Sequence, residues 1–213
     1  MKGIAYSEKS RQNGLQLIIA SETGDVETVK DLLEKGAYIH TQDKDGRCAI
    51  IAAAYQNRLK VADLLIAAGA DVNMKDNTIQ SAYLIATCEI PPSDGYTEFL
   101  MKTLASGADV HSTDSYNGTG LIRAADRGYV EVIKELLKTD IRVNHVNKMG
   151  WTALLEAIIL GDGGERHTEI VQLLVDAGAY VNLADKDGIT PLKHAKNRNY
   201  TGMVKILENN GAV

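Results

Sequence analysis

Five segments of this chain carry one motif: Glu34-Lys35-Gly36-Ala37, Ala67-Ala68-Gly69-Ala70-Asp71-Val72-Asn73, Ala105-Ser106-Gly107-Ala108-Asp109-Val110-His111, Asp176-Ala177-Gly178-Ala179-Tyr180-Val181-Asn182 and Asn209-Asn210-Gly211-Ala212-Val213. Thr139-Asp140-Ile141-Arg142-Val143-Asn144 fills the gap between Gly107 and Gly178, so the anchors fall at 36, 69, 107, 140, 178 and 211. Their spacings run 33, 38, 33, 38 and 33, and a second series, Asp43, Asp76, Asp114, Asn147 and Asp185, keeps the same intervals. A fixed period of this size means stacked supersecondary units, each burying its apolar face against its neighbours.

The residues inside one period predict two helices. Ile50, Ile51, Ala53 and Ala54 make a short apolar helix, and Val61, Leu64 and Leu65 place a stripe at i, i+3, i+4 on a second. Alanine recurs at 53, 86, 124, 157 and 195. It removes bulk where helices of adjacent units must approach to within roughly 8 to 10 Å. Glycine at 36, 69, 107, 178 and 211 supplies a left-handed residue that stops the second helix, and Asp140 is expected to take that conformation at some cost. A short hairpin then leads into the next unit.

These features resemble the ankyrin repeat, whose period is 33 and whose first helix opens with Thr-Pro-Leu-His-x-Ala. The nearest match is Asp187-Gly188-Ile189-Thr190-Pro191-Leu192-Lys193-His194-Ala195, followed by Gly150-Trp151-Thr152-Ala153-Leu154 and Asp45-Gly46-Arg47-Cys48-Ala49-Ile50. The chain is similar to small stand-alone bacterial ankyrin proteins. It departs from the pattern in having proline at the family position once and Asp140 for a glycine. The resemblance implies an all-α solenoid of six helix-turn-helix units with connecting β-hairpin turns: 10–42, 43–75, 76–113, 114–146, 147–184 and 185–213. Residues 1–9 are left as a loosely held tail. Polar residues at both ends, Gln12, Asn13 and Gln16 in the first unit and Lys193, Lys196, Asn197 and Arg198 in the last, suit terminal units that face water.

Composition narrows the function. Lys plus Arg is 23 against 28 for Asp plus Glu, a net charge of −5. Such a chain lacks the basic footprint that phosphate backbones and anionic lipid require, so neither nucleic acid nor membrane is an expected partner. The first 20 residues hold Lys2, Glu8, Lys9 and Arg11, and their apolar stretch is too short for a signal peptide or a span, which predicts a cytoplasmic location. Cys48 and Cys88 lie in no CxxC spacing and read as two buried thiols.

No catalytic constellation is legible. His40 and His111 share one hairpin position two units apart, about 20 Å at roughly 10 Å per layer, too far for a shared metal ion. His145, His167 and His194 occupy three different contexts with no carboxylate at ligand spacing. Gly161-Asp162-Gly163-Gly164-Glu165 lacks the Lys and Ser/Thr of a phosphate cradle. It reads as an extra loop: the third and fifth units each gain five residues between their helices, at 90–96 and 160–165. Insertions of that kind gather on one edge of a repeat scaffold, where they can serve binding.

What the resemblance implies is a protein-binding module with no enzyme activity, no cofactor, no metal and a monomeric state. In ankyrin proteins the residues around the hairpin glycine, and those following the first helix's Ala-Ala pair, line a concave groove. Here these positions hold Asp45, Arg47, Tyr55 and Gln56; Thr78, Gln80, Cys88 and Glu89; Tyr116, Asp126 and Arg127; and Met149, Trp151, Ile159 and Leu160. Trp, Tyr and Arg most often carry interface energy. The expected partner-binding residues are therefore Arg47, Tyr55, Gln80, Tyr116, Arg127, Met149 and Trp151, with Tyr116, Met149 and Trp151 on adjacent fingers. Three alternatives stay open: Trp151 folds over its own helix and seals the stack, the chain is an enzyme or small-ligand binder with an unrecognised site, or the stack pairs with itself.

Overall fold

Ser7 opens the first helix by accepting the Ser10 backbone N–H at its hydroxyl, so that helix starts at Glu8, two residues before the expected start of the repeats. The computed structural model describes residues 7–88 and 94–213, the side chains of 94 and 95 excepted. The chain divides into two compact bodies, Met1–Asp109 and Val110–Val213. In the first, α1 (Glu8–Thr23), α3 (Ala49–Tyr55) and α5 (Ala82–Ala86) pack in one row, and α2 (Val26–Glu34), α4 (Leu59–Ala67) and α6 (Asp94–Ala105) in a second. In the second body α7 (Gly120–Arg127), α9 (Ala153–Ile159) and α11 (Pro191–Asn197) form the first row, and α8 (Val130–Leu136), α10 (Glu165–Asp176) and α12 (Thr201–Asn209) the other.

The core follows the pattern read from the sequence. Ala53, Ala86, Ala124, Ala157 and Ala195 are all buried, which lets neighbouring first helices close on one another. Around them lie Ile50, Ile51, Leu65 and Tyr83 in the first body, and Leu121, Leu155, Ile158 and Leu174 in the second. First helices start at a hydroxyl in most repeats: Ser81, Thr119, Thr152 and Thr190 each accept the N–H three residues on. Cys48, at the same place before α3, makes no such bond. The far ends of first helices are bonded by the following repeat. Arg58 Nε donates to Glu22 O (3.0 Å), Tyr96 Oη to Tyr55 O (3.2 Å) and Arg198 Nη2 to Ile159 O (3.2 Å), meeting carbonyls that a helix end leaves open.

Two expectations need correction. The second helices end on left-handed glycines at 36, 69, 107, 178 and 211, with φ between 75° and 89°, but Asp140 does not take that conformation. In the glycine repeats the N–H that follows the glycine bonds a carbonyl five residues back, as Ala70 N does to Leu65 O (2.9 Å). At Asp140 a side chain bridges that gap: the Thr139 hydroxyl donates to Leu136 O (2.6 Å) and accepts from Ile141 N (3.3 Å). The relay removes the need for a left-handed residue.

The hairpins are turns and not strand pairs, in keeping with an all-α fold. Among the described residues the chain is all-helical, with an isolated antiparallel bridge at Thr113 and Thr119, because side chains take up the backbone groups that a ladder would pair. The second correction is that the five-residue insertions lengthen helices as well as loops. Both α6 and α10 have 12 residues against 9 in α4 and 7 in α8. Of the 90–96 segment, 94–96 belong to α6, and Ile90–Ser93 lie outside the described residues. Among the described residues no helix is long and apolar enough to cross a membrane.

Candidate functional site

Each hairpin is folded around one carboxylate or amide oxygen. Oδ1 of Asp43, Asp76, Asp114, Asn147 and Asp185 accepts the backbone N–H groups two and four residues on: 45 and 47, 78 and 80, 116 and 118, 149 and 151, and 187 and 189. These residues favour such Asx turns because the short side chain reaches its own backbone. The residue at the tip then turns through positive φ: Gly46, Ile79, Asn117, Gly150 and Gly188. Ile79, at φ 65° and 43% exposed, is the strained member, a β-branched residue where glycine or asparagine is at ease.

In the C-terminal body two fingers are zipped together. Lys148 N donates to Tyr116 O (2.9 Å), Asn117 Nδ2 to Val146 O (3.0 Å) and Lys148 Nζ to Ser115 O (2.7 Å). Tyr116 and Met149 stand on these tips, 66% and 51% exposed. Trp151 is half-buried beside them. The three side chains line one cleft of about 200 Å³, as expected of adjacent fingers. Leu160, just past α9, reaches the same cleft and is 51% exposed, so it faces the opening rather than the core.

The floor holds a group that the sequence reading missed. Glu156 of α9 is buried at 6% exposure and accepts a 2.6 Å hydrogen bond at Oε1 from Asn147 Nδ2. Asp126 and Asp114 line the same cleft, as does Arg123, whose Nη1 is 2.7 Å from Asp114 Oδ2. Burial above all, then the like charge of Asp126 and of Asp114, pushes the Glu156 carboxyl up to about 7 against the pull of the Asn147 amide. A signal for it exists in the sequence. In this body the hairpin Asp or Asn meets the first-helix residue nine positions later in every repeat: Asp114 with Arg123, Asn147 with Glu156 and Asp185 with His194 (2.7 Å).

The other expected binding residues are placed differently. Arg47 folds back on its own finger, with Nη2 3.0 Å from Asp43 and Nη1 3.7 Å from Glu22. The Tyr55 hydroxyl donates to Asp76 Oδ2 (2.9 Å), and Gln80 N to Asp76 Oδ1 (3.0 Å). Both residues are half-buried. Arg127 is exposed next to Asp126 (3.6 Å). Glu89 lies outside the described residues.

Two of these histidines do have carboxylate neighbours, contrary to expectation, His167 with Asp162 (2.9 Å) and His194 with Asp185; His111 also lies 3.5 Å from Asp140. Each pairing is local. His167 also bonds Asp126 O (3.2 Å) at the end of α7, the same helix-end role that Arg58 plays. Among the described residues no three His, Cys, Asp or Glu side chains converge to hold a metal ion. Cys48 is buried, and burial raises its thiol pKa; Cys88 is half-buried, not buried as expected, because it follows α5 instead of lying within it.

Comparison with known proteins agrees with this architecture. A family model described as ankyrin repeats (3 copies) matches residues 7–76 and 84–185. The ankyrin repeat protein YahD of Escherichia coli strain K12 is 38% identical over 196 residues, which cover 92% of this chain and 95% of that one. Among solved structures, an ankyrin repeat domain from Acinetobacter baumannii AYE superposes with a TM-score of 0.87 at 47% identity, covering 93% of this chain and 98% of the other. The ankyrin repeat protein EF0377 superposes with a TM-score of 0.84 at 32% identity, covering 90% and 96%. With helix pairs, glycine helix stops, Asx-turn fingers and sequence all in agreement, the chain belongs to the ankyrin repeat family.

Proposed function

We propose that this chain is a non-catalytic scaffold that holds a partner protein on the hairpin tips and first helices of its repeats, centred on Tyr116, Met149 and Trp151. Ankyrin repeats are in general protein-interaction scaffolds that are not enzymes, which supports the class. The observation that carries the site is the cleft itself, where a tyrosine, a methionine and a tryptophan surround a buried carboxyl. Aromatic and thioether side chains beside a desolvated polar floor are what interface hot spots are made of. Arg47, Tyr55 and Gln80 are bound up in their own hairpins and contribute shape more than energy; Arg127 flanks the cleft and steers charge.

The scaffold works as a cytoplasmic monomer, and its acidic balance disfavours nucleic acid and anionic lipid. Affinity capture followed by mass spectrometry tests the reading. A protein enriched on the wild-type chain and lost on the Trp151→Ala, Tyr116→Ala double variant supports it. Identical captured sets on both baits count against it. Turnover of generic hydrolase or transferase substrates by the pure protein would favour an enzyme instead.

A further inference from the structure

We propose that the cleft under Trp151 is a subsite for one cationic side chain, an arginine presented by the partner protein. The inference rests on the contact surface proposed above and names the chemistry of what enters it. Its volume, about 200 Å³, is below the roughly 300–1,000 Å³ of sites that enclose whole small molecules, and suits one long side chain.

Charge supplies the first argument. Among the described residues, Asp114, Asp126 and Glu156 line the cleft against a single cation, Arg123, which is committed to Asp114 at 2.7 Å. Arg127 touches Asp126 from outside at 3.6 Å with both side chains partly in water, where such a pair neutralises little. An incoming guanidinium therefore meets the little-compensated charge of Asp126, and its approach favours the ionised form of Glu156.

Hydrogen bonding supplies the second, independently. Glu156 is more than nine-tenths buried, and Asn147 bonds one of its oxygens, Oε1. The other makes no hydrogen bond to a described residue, although the side chain lines the cleft. That oxygen is not sealed off from water, so it is an acceptor open to a donor that a ligand brings. Arginine brings several donors in a planar fork, sheds its hydration more readily than lysine, and is favoured beside an indole. Trp151 and Tyr116 supply aromatic walls for its stem and plane.

Trp151 is the one tryptophan in the chain, so its fluorescence reports on this cleft alone. The probe is acetyl-Gly-Arg-Gly-amide, with the same peptide carrying citrulline as the uncharged isostere and magnesium chloride as a simple cation. The expected result is a saturable Trp151 response to the arginine peptide with a dissociation constant on the order of 1 mM. The citrulline peptide should bind at least about tenfold more weakly, as should the arginine peptide on Glu156→Gln and on Asp126→Asn. Asp126→Asn lies on the open side, so it tests the charge even where the buried substitution disturbs folding.

An equal response to citrulline or magnesium overturns the proposal, as does no response to arginine or no loss in a folded variant. The wider reading fails separately. Partner capture lost in Trp151→Ala, Tyr116→Ala but retained in Glu156→Gln removes the arginine subsite and leaves the surface. An arginine response in a chain whose partner capture ignores Trp151 leaves the subsite and removes the surface.

Discussion

Asn147 donates through Nδ2 to Oε1 of Glu156 at 2.6 Å, nine residues on, at the place where Asp114 meets Arg123 and Asp185 meets His194. The two departures in this repeat explain each other. A carboxylate at 147 would face another at 156, whereas an amide keeps the Oδ1 turn bonds to 149 and 151 and adds a donor for the glutamate.

Glu156 makes stability depend on pH. Its pKa is raised from 4.5 to about 7, by burial and by Asp126 and Asp114, with Arg123 held by Asp114 and Asn147 as its hydrogen-bond donor. Between those values the folded state binds more protons than the unfolded state, so the stability it contributes is present below 4.5 and is lost as pH rises through about 7. Glu156→Gln removes this contribution to the pH dependence. Urea melts should show the variant gaining on the parent as pH goes from about 5 to about 8, by on the order of 2 kcal/mol. Parallel curves for the two proteins would refute the linkage.

Ile79 is strained at φ 65°, where other repeats place Gly46, Asn117, Gly150 or Gly188. Relief of the left-handed clash should make Ile79→Gly more stable by about 1 kcal/mol despite the added chain entropy. A lower denaturation midpoint would show that the isoleucine packs usefully.

The helix stop at Asp140 separates what the sequence reveals from what it hides. Period, register and the alanine column were legible because they are set by packing at fixed intervals. That Asp140 replaces a glycine was legible too, but not that Thr139 bonds both Leu136 O and Ile141 N, since a hydroxyl's partners depend on where the chain has already turned. Tyr116, Met149 and Trp151 stood out because the repeat leaves their positions unconstrained. Glu156 did not, because it sits in a helix whose other residues read as core. Thr139→Val should therefore cost about 1 kcal/mol in chemical denaturation, and Asp140→Gly should yield no gain. A stabilised Asp140→Gly would restore the left-handed reading.

Leu65 and Leu174 occupy equivalent places in α4 and α10: both are fully buried, and their carbonyls accept from Ala70 N and Ala179 N at 2.9 Å. Either Leu→Ala change should cost on the order of 2 to 5 kcal/mol. Unchanged melting midpoints for both would contradict the shared register.

The binding affinity of a captured partner tests the surface most directly. Lys134 and Glu135 are poor control positions, since Lys134 bonds Glu131 and Glu169 and Glu135 bonds Lys138. Exposed Arg166 and Lys205, on the second helices α10 and α12, serve better. With the purified partner, calorimetric titration should show Trp151→Ala, Tyr116→Ala weaker by roughly 2 kcal/mol or more at an unchanged melting temperature. Arg166→Ala, Lys205→Ala should bind as the parent does. Equal affinity for the parent and the aromatic double variant would contradict the account.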